Sequence, residues 1–344
     1  MRRRSADAGH MTPVTDDEDG SKLVRRLNHE YEELQEEANE VAKRFNETRF
    51  DIKCLTTVFK HSNHLENITF AYEGMEPRYS KFGSRYCEVS QHEMSRPFIS
   101  TLSALAVSGV KAKHIKMYDG KEYGAISIGR LESLAPSLRF FDAAFETLET
   151  LQLNLRDWRS PDSGFELEGT RAPFVVRFLA KFRNVRALEL SCYSSLEDDL
   201  FGEMARMCQF GSLEKCKLDL FRISCAHDLI DFLALSSNSL KELRLEHVLL
   251  VDSEKSWADL FTSLADPSNL FPVLKSLHVV RLFTQRASSV VKGVMFQGWE
   301  STTISLRLEG KDWREELKDH GRNHVEFKAT RMWEAGATMY PYMG

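Results

Sequence analysis

Leu148-Glu149-Thr150-Leu151-Gln152-Leu153-Asn154-Leu155 alternates apolar and polar residues behind a leading leucine, and the phrase Leu-x-x-Leu-x-Leu within it recurs along the chain. Further copies are Val185-x-x-Leu188-x-Leu190, Leu213-x-x-Cys216-x-Leu218, Leu240-x-x-Leu243-x-Leu245 and Leu274-x-x-Leu277-x-Val279, within a looser series from about 65 to about 308. Alternation with a period of two predicts a strand with one buried face. Between the copies the apolar residues fall three and four apart, which predicts helices over 52–60, 98–107, 173–182, 196–208, 227–235, 257–264 and 288–296. A helical stretch over 131–145 must break or restart at Pro136, and Gly109 is a stop signal for the helix before it.

The central apolar residues of the predicted strands are 68, 115, 151, 188, 216, 243, 277 and 306, giving spacings of 47, 36, 37, 28, 27, 34 and 29. The later values match a leucine-rich repeat with a helical return, and the earlier ones are padded by insertions. A strand followed by a helix and another strand makes a crossover, so successive strands run parallel. The expected fold is therefore α/β: a degenerate leucine-rich-repeat-like solenoid, with a parallel sheet on the concave side, helices outside and an N-terminal capping helix.

The chain has 344 residues, 42% of them hydrophobic, enough for a substantial core, and a net charge of −5. That charge is unevenly placed. Residues 16–47 carry eleven acids against five bases, or −6, residues 1–15 carry +2, and the remainder carries −1. A near-neutral body lacks the basic field of a nucleic-acid binder, so none is expected as a partner. Residues 1–21 are polar and aperiodic and read as a disordered acidic tail.

Over 22–47, Val24, Leu27, Tyr31, Leu34, Ala38, Val41 and Phe45 form one helical stripe, read as a cap on the solenoid in preference to a coiled-coil seam. The solenoid proper is assigned to 48–310 and a C-terminal cap or tail to 311–344, where Trp333, Tyr340 and Tyr342 are candidate anchors. Residues 71–93 lack a period and read as a long loop. No secretory apolar segment follows Met1 and no window is long enough to span a bilayer. The expectation is a cytoplasmic or nuclear monomer without a membrane partner.

Sequence patterns for catalysis are absent. There is no G-x-S-x-G, P-loop, G-x-G-x-x-G after a strand or H-E-x-x-H. The six cysteines include no C-x-x-C pair, and Cys216 takes an inward strand position as a small apolar residue. His61/His64 and His320/His324 lack the further ligands a metal needs. No cofactor, metal or catalytic residue is assigned.

What remains is surface. Side chains between the inward leucines point to the other face of the sheet, a polar row of mixed charge suited to a protein partner. Thr69 and Lys116 begin it, and the candidate partner-binding residues are Gln152, Asn154, Glu189, Lys217, Asp219, Arg244, His278 and Arg307. Trp158 and Arg159, in the loop Arg156-Asp157-Trp158-Arg159-Ser160-Pro161, join them as an aromatic and cationic pair typical of interface hot spots.

Tyr31-Glu-Glu-Leu-Gln-Glu-Glu running toward Leu55 and Leu65-Glu-Asn-Ile68 resembles the region upstream of the repeats in filamentous-fungal F-box proteins with degenerate leucine-rich repeats. Arg96-Pro97-Phe98, Leu102-Ser-Ala-Leu-Ala106 and Gly109-Val110-Lys111 are similar to a later helix and turn of that group. The resemblance covers most of 28–310 and implies a repeat region that holds the substrate of a cullin-type ubiquitin ligase. An F-box opens with Leu-Pro and an apolar three-helix pattern, which 1–22 do not supply, so the ligase adaptor is not an expected partner. The resulting expectation is a non-catalytic protein-interaction scaffold. Its alternatives are a ligase substrate receptor whose F-box lies outside this sequence, or an enzyme with a dispersed site.

Overall fold

A computed structural model describes residues 29–71 apart from 31, 35, 38–39, 42, 45–46 and 63; 95–117; 125–156; 173–192; 200–251; 256–266; 271–285; 291–297; 302–310 apart from 304; and 312–328 apart from 323. The expectations for the acidic tail, the 72–93 loop, Trp158, Arg159, Trp333, Tyr340 and Tyr342 lie outside those residues. The chain divides into two units, Met1–Lys53 and Cys54–Gly344. In the first, the described residues from 29 to 48 are helical, and Leu34 and Val41 of the predicted stripe are exposed.

The second unit is mixed α/β with a mostly parallel sheet. Helix α1 (Phe50–Lys60) leads to β1 (Asn67–Phe70), α2 (Arg96–Ser108), β2 (His114–Met117) and the short β3 (Ile126–Ser127). Gly109 caps α2 at φ +81°, a left-handed conformation in which a Cβ would be strained. Next come α3 (Ile128–Leu131), a 3₁₀ stretch over Glu132–Phe140 that accommodates Pro136, and α4 (Phe141–Ala144). Strand β4 (Thr150–Arg156) follows, then α5 (Phe174–Leu179) with Pro173 at its N-cap, β5 (Ala187–Cys192) and α6 (Leu200–Met207).

Thereafter each long strand has a two-residue companion. The pairs are β6 (Lys215–Asp219) with β7 (Arg222–Ile223), β8 (Glu242–Glu246) with β9 (Leu249–Leu250), and β10 (Ser276–Val280) with β11 (Phe283–Thr284). Helices α7 (Ala226–Ala234) and α8 (Trp257–Ala265) separate them, the latter opened by a Ser256/Asp259 capping box. The chain closes with β12 (Lys292–Gln297), β13 (Thr302–Thr303), β14 (Ser305–Glu309), α9 (Trp313–Arg322) and β15 (His324–Lys328).

The main sheet runs β1-β2-β4-β5-β6-β8-β10-β14, with β3 beside β4, and every pairing but the last is parallel. One row joins Ile68, Ile115, Leu151, Leu188, Cys216, Leu243 and Leu277, so seven of the eight predicted strand centres stand directly opposite one another, while Leu308 and not the predicted Leu306 faces Leu277. Six of these are at most 2% exposed, Ile68 on the edge strand being the exception. A sheet face so well sealed needs cover. Apolar side chains for it come from the connecting helices, such as Leu229, Phe232 and Leu233 of α7, and from aromatic stacks such as Phe145–Phe182 at 4.9 Å and Phe178–Phe182 at 4.9 Å.

The end of the array corrects the expected repeat. The helix expected over 288–296 is instead strand β12 where it is described. Gly293 disfavours a helix there, and Val294 and Phe296, 1% and 0% exposed, are buried two apart. Strands β11, β12 and β13 take the place of a helical return between β10 and β14, and β14 runs antiparallel to β10, pairing Leu306 with Val279. Strand β15 then adds to β12, and Arg314 of α9 donates to Leu264 O at 2.9 Å and Phe271 O at 2.5 Å, capping the end of α8. Among the described residues no helix is long and apolar enough to cross a membrane.

Between each long strand and its companion one non-glycine residue has positive φ: Leu220 (60°), His247 (51°) and Arg281 (50°). Such a conformation costs about 1–2 kcal/mol for an L-residue. The turn recovers this by burying the next side chain, Phe221, Val248 or Leu282, at 0–2% exposure. It also forms hydrogen bonds to the next strand: Leu220 N–H donates to Glu246 O at 3.0 Å, and His247 N–H to Val280 O at 2.8 Å. Replacing the fully buried Leu218 in Leu218→Ala is therefore expected to cost about 2–5 kcal/mol in chemical denaturation. Leu220→Gly, two residues on, should stay within about 1 kcal/mol of the parent, because relieved strain offsets added chain entropy.

Candidate functional site

Shared register orders the main sheet into rows: strand alternation puts Thr150, Ala187, Lys215, Glu242, Ser276 and Glu309 on the same face as the candidate positions, and a row of charge precedes the strands. The first row lies just before the strands, where Glu66, Lys113, Glu149, Arg186, Glu214 and Lys241 follow one another with alternating sign before Lys275 repeats that of Lys241. Glu66 pairs with Lys113 at 2.6 Å, Arg186 with Glu214 at 3.7 Å and Lys241 with Glu214 at 2.5 Å. Hydrogen bonding to the lysine ammonium holds both the Glu66 and Glu214 carboxyls below their ordinary range.

The second row runs Gln152, Glu189, Lys217, Arg244, His278 and Arg307, neighbours in register across β4, β5, β6, β8, β10 and β14. All are partly or fully exposed, so these six expected surface positions stand together in one line. The third row is Asn154, Ser191, Asp219, Glu246 and Val280. Asn154 leaves the expected surface set: it is 4% exposed, at the place where β2 and β3 both meet β4, and Met117 Sδ receives its backbone N–H at 3.4 Å.

Three residues the sequence reasoning passed over complete the face. Glu246 accepts from Lys217 at 3.2 Å and from Arg244 at 2.8 Å, with its own side chain 13% exposed. Burial pushes its carboxyl up, but Lys217 and Arg244 outweigh that and leave it below the ordinary value. His247 Nδ1 lies 2.9 Å from Asp219 Oδ1, and Arg281 Nη1 lies 3.4 Å from His247 Nε2. Since guanidinium only donates, Nε2 accepts and Nδ1 carries the proton toward Asp219. A readable signal existed, since an apolar residue sits three positions past the second inward residue in each of these repeats: Phe221, Val248 and Leu282.

Ser191 Oγ stands 3.5 Å from Asp219 Oδ2, so serine, aspartate and histidine meet, but in the order Ser191–Asp219–His247. The carboxylate and not the imidazole is next to the hydroxyl, an arrangement in which His247 is not placed to accept its proton. Among the described residues no group of three or more His, Cys, Asp or Glu side chains is placed to hold a metal ion. Burial pushes the Cys208 and Cys216 thiols up to about 12. Comparison with protein-family models, curated proteins and solved structures finds no match to the chain.

Two outcomes test this description. A water-soluble thiol reagent at pH 8 should modify exposed Cys54 and leave Cys192, Cys208 and Cys216 intact until denaturant is added, as read by peptide mass spectrometry. Because the Glu246 carboxyl lies lower folded than unfolded, its contribution is present above about pH 4.3 and is lost as pH falls through the folded value. Denaturation of Glu246→Gln across that window should therefore show a weaker loss of stability on acidification than the parent.

Proposed function

We propose that this chain is a non-catalytic protein-interaction scaffold, a degenerate leucine-rich-repeat-like solenoid that holds a protein partner on the polar face of its main sheet. The observation that carries the reading is the register: seven strand centres stand in one row, so six polar positions form a second continuous row on the opposite face. Rigid strands hold those side chains in fixed mutual positions, which is what a docking surface requires. The repeated unit of strand, left-handed residue, short strand and helix supports the solenoid description. The resemblance to the substrate-holding repeats of fungal F-box proteins fits the same role.

The test is affinity capture with the full chain, comparing the parent, a polar-face variant Lys217→Glu/Arg244→Glu and a helix-surface control Asp231→Lys, with thermal melts confirming that all are folded. Proteins held by the parent and the control but lost by the face variant are the expected result. Identical captures by all three would refute the docking face, and robust binding of a cullin-ligase adaptor would overturn the expectation that this chain does not engage one.

A further inference from the structure

Across β6, β8, β10 and β14 the second row reads Lys217, Arg244, His278, Arg307, four basic side chains in direct register with no acid among them. Like charges directly opposite one another weaken a sheet. Just before the strands the charges instead alternate from Glu66 to Lys241, and Lys275 then repeats the sign of Lys241.

The internal counter-ions flank this row without entering it. Glu246 lies on the turn side, with Oε2 facing Lys217 and Oε1 facing Arg244. Glu309 lies on the strand-start side, opposite Ser276, and accepts from Arg307 Nε at 2.7 Å. The side chains of Arg244 and Arg307 are 50% and 70% exposed, and His278 stands between them on the intervening strand. Burial and the Arg244 guanidinium hold the His278 imidazole below its ordinary value, with Arg307 and Lys217 adding to the effect and Glu246 opposing it. Arg244 and Arg307 keep exposed guanidinium groups on this part of the face, each beside one internal carboxylate.

Resting on the docking-face reading above, we propose that the partner's contact is a helix with a carboxylate-bearing face, laid across β6, β8, β10 and β14 so that its acids meet this basic row. Spacing selects the helix. Strands stand about 4.8 Å apart, so the row spans about 14 Å in three equal steps. Acids at i, i+3, i+7 and i+10 of a helix advance by about 4.5, 10.5 and 15 Å, whereas same-face residues of an extended segment step by about 6.7 Å. Distribution selects carboxylate over phosphate. Lys217, Arg244 and Arg307 are strung out singly, each matching one monoanion, with the His278 imidazole between the arginines as a hydrogen-bond donor, and they are not gathered around one point as a dianion requires.

The experiment is fluorescence anisotropy with the full chain and four labelled peptides. These are an alanine-based helix with Glu at i, i+3, i+7 and i+10, the same peptide with Gln, an extended alternating Thr-Glu peptide and a phosphoserine peptide. The Glu helix is expected to bind at least tenfold more tightly than the other three and to weaken with added salt. Arg244→Gln/Arg307→Gln should lose at least tenfold of that affinity at an unchanged melting temperature, Arg244→Lys/Arg307→Lys should recover part of it, and Asp231→Asn should leave it unchanged. Failure of the Glu helix to bind, equal binding of the Gln peptide, tighter binding of the phosphopeptide or indifference to the double Gln variant would each overturn the proposal. If any of these occurs while capture still depends on Lys217 and Arg244, the acidic-helix partner fails and the docking face stands. Loss of both dependences sinks the docking face as well.

Discussion

A single carbonyl before each strand organises the main sheet. Glu66 O receives the N–H groups of both Lys113 and His114, at 2.8 and 3.0 Å, and Lys113 O does the same for Glu149 and Thr150. The pattern continues with Glu149 O, Arg186 O, Glu214 O and Lys241 O, each accepting from the pair that opens the following strand. One shared acceptor at the start of a strand fixes its register against its neighbour, and a slip by one residue would turn every inward leucine to the polar face. Connections as different as those between 68 and 115 and between 216 and 243 therefore enter the sheet at the same level. The alternating charges on these same residues add an electrostatic reason for that register, while the buried leucines supply most of the free energy.

This dependence explains what was legible beforehand. Period-two alternation at Leu151, Leu188, Cys216, Leu243 and Leu277 carries both the strand and its buried face in the side chains themselves, and their spacing implies the crossovers. Helix ends were readable where a stereochemical exception marks them, as at Gly109 with φ +81°. The final elements were not. Residues 292–297 have an apolar content compatible with helix or strand, and the pairing of β12 with β15 and β11 that settles the matter involves residues distant in the sequence. Nor did the left-handed turns announce themselves, because Leu220, His247 and Arg281 are not the residue types such a conformation favours. Tertiary burial of Phe221, Val248 and Leu282 outweighs local preference.

The site shows the same division. Alternation placed Gln152, Glu189, Lys217, Arg244, His278 and Arg307 on one face, and that placement needs no more than the period of a strand. Period alone could not show that Asn154 is sealed by neighbouring strands, since its burial comes from β2 and β3 converging on that end of β4. It also could not bring Asp219, His247 and Arg281 together, because their proximity arises from stacking successive turns whose backbone angles were not anticipated.

Once register is settled, the polar face is a grid, and charge order along a grid row carries information that composition does not. A near-neutral body suggests no particular electrostatic preference. Resolved into rows, the same charges alternate in sign from Glu66 to Lys241 just before the strands, while Lys217, Arg244, His278 and Arg307 stand together further along them. The acids that balance them are displaced sideways to Glu246 and Glu309, which keeps the folded chain tolerable while leaving the Arg244 and Arg307 guanidinium groups facing solvent. Each arginine has five N–H donors, so one bond to an internal carboxylate leaves most of its capacity facing outward. Slipping one of these strands by a single residue would put an apolar side chain in the row in place of its base. The backbone constraint that holds the leucines inward is therefore also what keeps Lys217, Arg244, His278 and Arg307 in one row.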